Sequence, residues 1–108
     1  LPLAVKLGLD PEKTAEVINN GTGRSFASEF FLPGILENRF DRGYRLENAY
    51  KDMLCAAEIS ARRRIPLPLF HAANSIYQAA LALGLGHEDK GAMIKVFERM
   101  LDVEFRKK

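Results

Sequence analysis

The sequence has a single cysteine, Cys55, so no internal disulfide can form and a reducing compartment is the natural setting. No apolar run approaches the ~20 residues that a membrane-spanning helix needs. No secretory leader is present either, and together these absences point to the cytoplasm and away from a membrane. No alternating apolar–polar run is flanked by turn residues, which removes the signal for a β-strand. Internal repeats and low-complexity segments are also missing. Methionine does not open the chain: Leu1-Pro2-Leu3 is already apolar and helix-like, and is expected to continue a helix that begins upstream.

Several kinds of chemistry are absent too. His71 and His87 lie far apart with no ligand partners at metal spacing, so no metal site is expected. No serine carries the strand–turn–helix context of a nucleophile elbow. Net charge is only +2, which demands no acidic partner. Basic residues cluster at Arg62-Arg63-Arg64 and Arg106-Lys107-Lys108. Both clusters read as cations at helix C-terminal ends, where they complement the helix dipole. Without interleaved aromatics they do not suggest nucleic acid.

What the sequence does have is helical periodicity nearly throughout, in 108 residues that suit one domain with one core. Leu3, Ala4 and Leu7 form a stripe that Gly8 ends. Asp10 can cap the next helix with Pro11 at its first position, and Thr14, Val17 and Ile18 are its expected buried face. Asn19-Asn20-Gly21 stops it. Ser25 caps a third helix with Phe26, Phe30 and Phe31 as an aromatic face, which Pro33-Gly34 is expected to break or kink. A polar connection, Asn38 to Gly43, leads to a long helix from about Leu46 to Arg64. Its predicted apolar face is Leu46, Tyr50, Met53, Leu54, Ala57 and Ala61. Pro66 and Pro68 separate it from a helix that Gly84-Leu85-Gly86 ends. A last helix starts near His87 to Asp89, with a wide apolar stripe from Met93, Val96, Phe97 and Met100. The fold class is therefore all-α, a bundle of about six helices with short loops.

Three features invite functional readings. Gly21-Thr22-Gly23 has the look of a phosphate loop, but a helix precedes it, Phe26 stands where a third glycine would be, and no Walker lysine follows. It reads as a turn whose glycines supply positive φ, or as a turn that presents Arg24 to a small anion held by another domain. Lys51 and Asp52 are neighbours on one helix, about 100° apart, so they are not an acid–base pair. Lys51 is expected to pair with Glu47 four residues earlier. Cys55 reads as a buried, inert thiol, and Glu88-Asp89 as acidic residues favouring a helix N-terminus.

The order of these motifs resembles the C-terminal helical domain of the β-hydroxyacid dehydrogenases, the group of 3-hydroxyisobutyrate dehydrogenase and tartronate semialdehyde reductase. The resemblance rests on Gly8-Leu9-Asp10-Pro11, on Ile18-Asn19 with Gly21-x-Gly23-Arg24-Ser25-Phe26, and on Tyr44 followed by Lys51-Asp52. Ile65-Pro66-Leu67-Pro68, Tyr77 and Gly84-x-Gly86-x-Glu88-Asp89 extend it over nearly the whole chain. It implies a fold like the C-terminal domain of 6-phosphogluconate dehydrogenase, with residues 1–108 as one domain that closes an active-site cleft and mediates homo-oligomer contacts. It also implies a missing N-terminal Rossmann domain that holds NAD or NADP. Leu1 to Leu7 would be the end of an interdomain helix, and the catalytic lysine would lie upstream. The implied activity is hydride transfer to or from a small hydroxy acid. Lys51 would help bind the cofactor, while Phe26, Tyr44 and Asp52 would line the substrate pocket. Tyr44 stands where relatives usually place phenylalanine, and Phe26 where several carry tryptophan. The alternative reading is a non-enzymatic helical dimerisation module.

Overall fold

The computed structural model describes all residues from Leu1 to Lys108. Six α-helices follow one another: α1 Pro2–Lys6, α2 Pro11–Asn19, α3 Phe26–Leu36, α4 Leu46–Arg63, α5 Pro68–Ala82 and α6 Ile94–Leu101. A 3₁₀ turn, Lys90–Met93, leads into α6. There is no strand; one isolated antiparallel bridge joins Arg45 to Asp89. The chain measures 47 × 30 × 24 Å, and α4 and α5 pack on each other as a hairpin.

Local chemistry sets the helix ends. The Asp10 carboxylate accepts from the Lys13 N–H at 3.0 Å, with Pro11 at the first helical position. Ser25 and Ser28 exchange side-chain-to-backbone bonds at 3.0 and 2.9 Å, a reciprocal cap at the start of α3. At the other end, α1, α3 and α5 close with the same pair of bonds. Gly8 donates to Val5 and Leu9 to Ala4, Asn38 to Ile35 and Arg39 to Gly34, Gly84 to Leu81 and Leu85 to Ala80. The pivot residue is left-handed each time, at φ +89°, +57° and +80° for Gly8, Asn38 and Gly84.

Several sequence expectations are corrected. Pro33 does not break α3, which runs to Leu36: proline has no N–H to give, but one helix bond is a tolerable loss when Leu32 and Ile35 are buried on either side of it. Gly21 and Gly23 do not have positive φ. Gly21 answers a close approach instead, since a Cβ there would lie 3.1 Å from the Val17 carbonyl oxygen. Val17 is exposed, and Ala15 with Pro11 forms the buried side of α2. On α4 the buried positions are Leu46, Ala49 and Ser60, while Leu54 is exposed. Met100 and Phe97 are likewise exposed on α6, where Ile94 and Val96 face the core. Cys55 is exposed, not buried.

The largest corrections concern the two loops and the tail. Asp89 is 3 % exposed and does far more than favour a helix N-terminus. Its carboxylate accepts from the Arg42 N–H at 3.0 Å and the Gly91 N–H at 2.8 Å, and its own N–H donates to the Phe40 carbonyl at 2.7 Å. Around it, Leu46 donates to Glu88, Glu47 to Gly86 and Lys90 to Tyr44. The α3–α4 loop is thus stitched to the α5–α6 loop. Arg106-Lys107-Lys108 is not a helix end, because α6 stops at Leu101. The tail folds back: Phe105 is completely buried, the Lys107 N–H reaches the Leu36 carbonyl at 2.8 Å, and Arg106 pairs with buried Glu98 at 2.6 Å. Glu98 also accepts from the Phe105 N–H at 2.6 Å. Two cations stand over the Phe40 ring, Lys95 at 4.1 Å and Arg106 at 5.0 Å from its centre.

Replacing Asp89 by Ala strands two backbone N–H groups, one of them buried, and should lower unfolding stability by about 3 kcal/mol. A urea titration measures it; a midpoint within error of the wild type would show that the loops hold each other without the carboxylate.

Candidate functional site

Tyr44 is the last loop residue but one before α4, and Asp52 lies in the second turn of that helix. The loop geometry set by Asp89 brings the phenol back along the helix, and its Oη donates to Asp52 Oδ2 at 2.8 Å. The hydrogen bond to the carboxylate, with smaller contributions from burial and from the like charge on ionisation, raises the Tyr44 pKa above its ordinary 10.0. At neutral pH the phenol is therefore a neutral donor that is already committed. It is no base, and Asp52 is one of its fixtures.

Phe26 belongs to an aromatic stack that covers the residue before Tyr44. It is exposed and stacks on Phe30 with centroids 5.4 Å apart, and Phe30 meets Phe31 edge-on at 4.9 Å. Gly43 passes beneath these rings: a Cβ there would sit 2.7 Å from Phe31 Cε1 and 3.0 Å from Phe30 Cε1. That close approach, not a turn angle, demands glycine immediately before Tyr44. The Lys90 ammonium lies 5.8 Å from the centroids of both Phe31 and Tyr44.

Lys51 lies beside Asp52 in sequence, exposed, on a different side of α4. The expected pair with Glu47 does not form, because Glu47 is taken by Arg45 at 3.5 Å; Lys51 makes no ion pair. Arg24 meets Glu29 at 3.4 Å in an exposed ion pair. The Ser60 hydroxyl donates to the Ile65 carbonyl at 2.6 Å, which makes His71 Nε2, at 3.2 Å, the donor to Ser60 Oγ. That contact ties α4 to α5 and has no third member. No group of three His, Cys, Asp or Glu side chains could hold a metal ion. No helix is long and apolar enough to cross a membrane.

The structure thus joins Tyr44 to Asp52 directly, sets Phe26 in a stack with Phe30 and Phe31 that covers Gly43, the residue before Tyr44, and leaves Lys51 as a free cation on the same helix. The sequence reading missed Lys90. Its position after the Asp89 cap was the available signal, but nothing local shows that two loops distant in sequence meet there.

Known proteins resemble this chain in sequence and fold. Residues 1–97 match the family model described as NAD-binding of NADP-dependent 3-hydroxyisobutyrate dehydrogenase. The 2-(hydroxymethyl)glutarate dehydrogenase of Eubacterium barkeri is 38 % identical over 104 residues, covering 95 % of this chain and 35 % of that protein. The mitochondrial 3-hydroxyisobutyrate dehydrogenase of Drosophila melanogaster is 36 % identical over 94 residues, 81 % of this chain and 29 % of that one. The crystal structure of 3-hydroxyisobutyrate dehydrogenase from Salmonella typhimurium superposes with a TM-score of 0.83 at 26 % identity, over 89 % of this chain and 34 % of its own. The chain therefore spans about a third of the length of the relatives it matches.

If Asp52 is what holds the Tyr44 proton, Asp52→Ala should bring the Tyr44 titration down towards 10.0, while Tyr77, raised by burial alone, keeps its midpoint. Ring-carbon NMR of labelled tyrosine resolves the two; an unmoved Tyr44 would contradict the pairing.

Proposed function

The chain belongs to the β-hydroxyacid dehydrogenase family, and we propose that residues 1–108 are the C-terminal helical domain of an NAD(P)-dependent enzyme of that family. In this reading the domain closes the cleft over a nucleotide held by a Rossmann domain elsewhere in the protein. The observation that carries it is the open face at the start of α4: a committed Tyr44–Asp52 pair, an aromatic stack, and Lys51 with no partner. The all-helical fold lacks the strand, glycine turn and helix that cradle a pyrophosphate. The residues present fit a second contact to the cofactor rather than its main cradle, and Lys51 is the group that would supply it. The bound nicotinamide gives or takes the hydride; this domain orients what lies against it and keeps water out.

Substrate class follows from the two acids named for the relatives. 3-Hydroxyisobutyrate and 2-(hydroxymethyl)glutarate both carry a hydroxymethyl group on the carbon next to a carboxylate. A small hydroxy acid of that type is the substrate proposed here, with Phe26, Tyr44 and Asp52 on its wall. The proton on the reacting oxygen would be handled by a lysine outside this chain. The single thiol, free of any disulfide, suits a cytoplasmic enzyme.

A second reading, assembly, is compatible and has its own support. Leu7, Val17, Phe26, Leu69 and Met100 are 72, 72, 76, 84 and 68 % exposed, large apolar side chains left mostly in solvent by this chain. Such faces suit the remaining two thirds of the protein or a second copy.

Two outcomes are expected. The 108 residues by themselves should reduce no NAD(P) with either acid; turnover by the pure chain would refute the division of labour. In the full-length protein, Lys51→Ala should raise the apparent KM for cofactor or substrate about tenfold, the loss of one charge-assisted contact. Unchanged KM values would remove Lys51 from the site.

A further inference from the structure

Only three of the lysines and arginines are withdrawn from full solvent exposure: Lys90, Lys95 and Arg106. Lys95 is paired with Glu88 at 2.8 Å and Arg106 with Glu98 at 2.6 Å. Lys90 has no carboxylate within ion-pair distance. Asp89, the residue before it, is turned to the Arg42 and Gly91 N–H groups, and Asp52 accepts from the Tyr44 hydroxyl. What the ammonium does have is the Phe31 and Tyr44 rings, each at 5.8 Å. At that range a cation–π contact is weak. It does not replace a counter-ion for a group that has given up part of its water.

The position is held firmly. The Lys90 N–H donates to the Tyr44 carbonyl at 2.9 Å, and the preceding residue is the buried Asp89. Lys90 is also the only charged side chain lining an apolar groove of about 510 Å³, walled by Phe31, Tyr77, Met93 and Phe97 among others. A substrate lying against Tyr44 with an apolar arm extended along that wall would meet one cation, and it would be Lys90.

We propose that Lys90 binds a second, distal carboxylate of the substrate, so that the enzyme prefers dicarboxylic over monocarboxylic hydroxy acids. This rests on the dehydrogenase reading above and adds a specificity-determining residue to it. The first carboxylate, beside the hydroxymethyl carbon, is common to both substrate types and cannot distinguish them. The second sits at the end of a methylene arm, where a methyl group ends the shorter acid.

The test uses the full-length protein and its Lys90→Gln and Lys90→Met variants, with 2-(hydroxymethyl)glutarate and 3-hydroxyisobutyrate as probes. The KM for the dicarboxylic acid should rise about tenfold or more, as expected for the loss of a charge-assisted contact. The KM for the monocarboxylic acid, that for the cofactor and both kcat values should stay within about twofold, since a contact remote from the reacting carbon and common to ground and transition states moves KM alone. An equal rise for both acids, a rise in the cofactor KM, or no change would overturn the assignment. Calorimetric titration with glutarate, which has no hydroxyl to oxidise, separates this proposal from the one beneath it. If the wild type oxidises neither acid, the dehydrogenase reading fails. Glutarate binding that disappears in Lys90→Gln would still support the anion site, and binding that is absent or unaltered would end it.

Discussion

One buried carboxylate, that of Asp89, fixes the relation between the two loops on which the rest of the site depends. A charged acceptor taking two backbone N–H groups forms bonds of about 1.5–3 kcal/mol each, stronger than the neutral bonds around them. It acts where the chain has least regular structure. The α3–α4 loop has a single buried apolar anchor, Phe40, and the α5–α6 loop is mostly turn. Once Asp89 holds Arg42 and Gly91, the bridge with Arg45 and the bond from Lys90 to Tyr44 fall into register. Tyr44, Asp52 and Lys90 therefore share one support. The phenol is placed by the loop, the carboxylate by the helix that the loop starts, and the ammonium by the residue after the clamp.

The parts of this fold that could be read from sequence are those whose cause lies within four or five residues. Asp10, Ser25, Gly8 and Gly84 all act on neighbours in the chain, and each sits at the helix end its chemistry suggests. Asn38 belongs to the same class but escaped notice, since asparagine in a polar stretch signals a turn of any kind. The apolar faces of α2, α4 and α6 were harder. Periodicity shows that a helix has an apolar side, but Val17, Leu54 and Met100 are as apolar as the residues that are buried. Which of them the core takes depends on neighbours distant in sequence. In a domain that covers about a third of its relatives' length, some apolar residues have no neighbour within the chain at all.

The same distinction separates what the sequence says about the site from what it does not. Tyr44 and Asp52 could be named as candidates by resemblance, but their contact spans eight residues and a helix start, so no helical spacing rule covers it. The contact changes the meaning of the tyrosine. Where phenylalanine would present only a ring, this hydroxyl is turned towards Asp52 and its proton is held there. The added polarity is absorbed within the chain, so it supplies rigidity rather than a loose donor. Over the ring stands Lys90, its ammonium 5.8 Å from the centroid.

The two ends of the domain satisfy their charges differently, and that asymmetry bears on function. Around Phe40 and the folded-back tail, every withdrawn charge has its opposite: Lys95 with Glu88, Arg106 with Glu98, and Glu98 also with the Phe105 N–H. Burying ions is costly, and this end meets the cost with complete pairing. Around Tyr44 the same chain leaves Lys51 unpaired in solvent and Lys90 unpaired over two rings, beside the exposed stack of Phe26 and Phe30. Nothing in the backbone prevented an acid here, since Glu47 stands one helical turn from Lys51 and is turned to Arg45 instead. The withdrawn cations around Phe40 are paired, and Lys90, withdrawn like them, is not. In the proposed reading the two unpaired cations complement anions from outside the chain: the cofactor's for Lys51, the substrate's for Lys90.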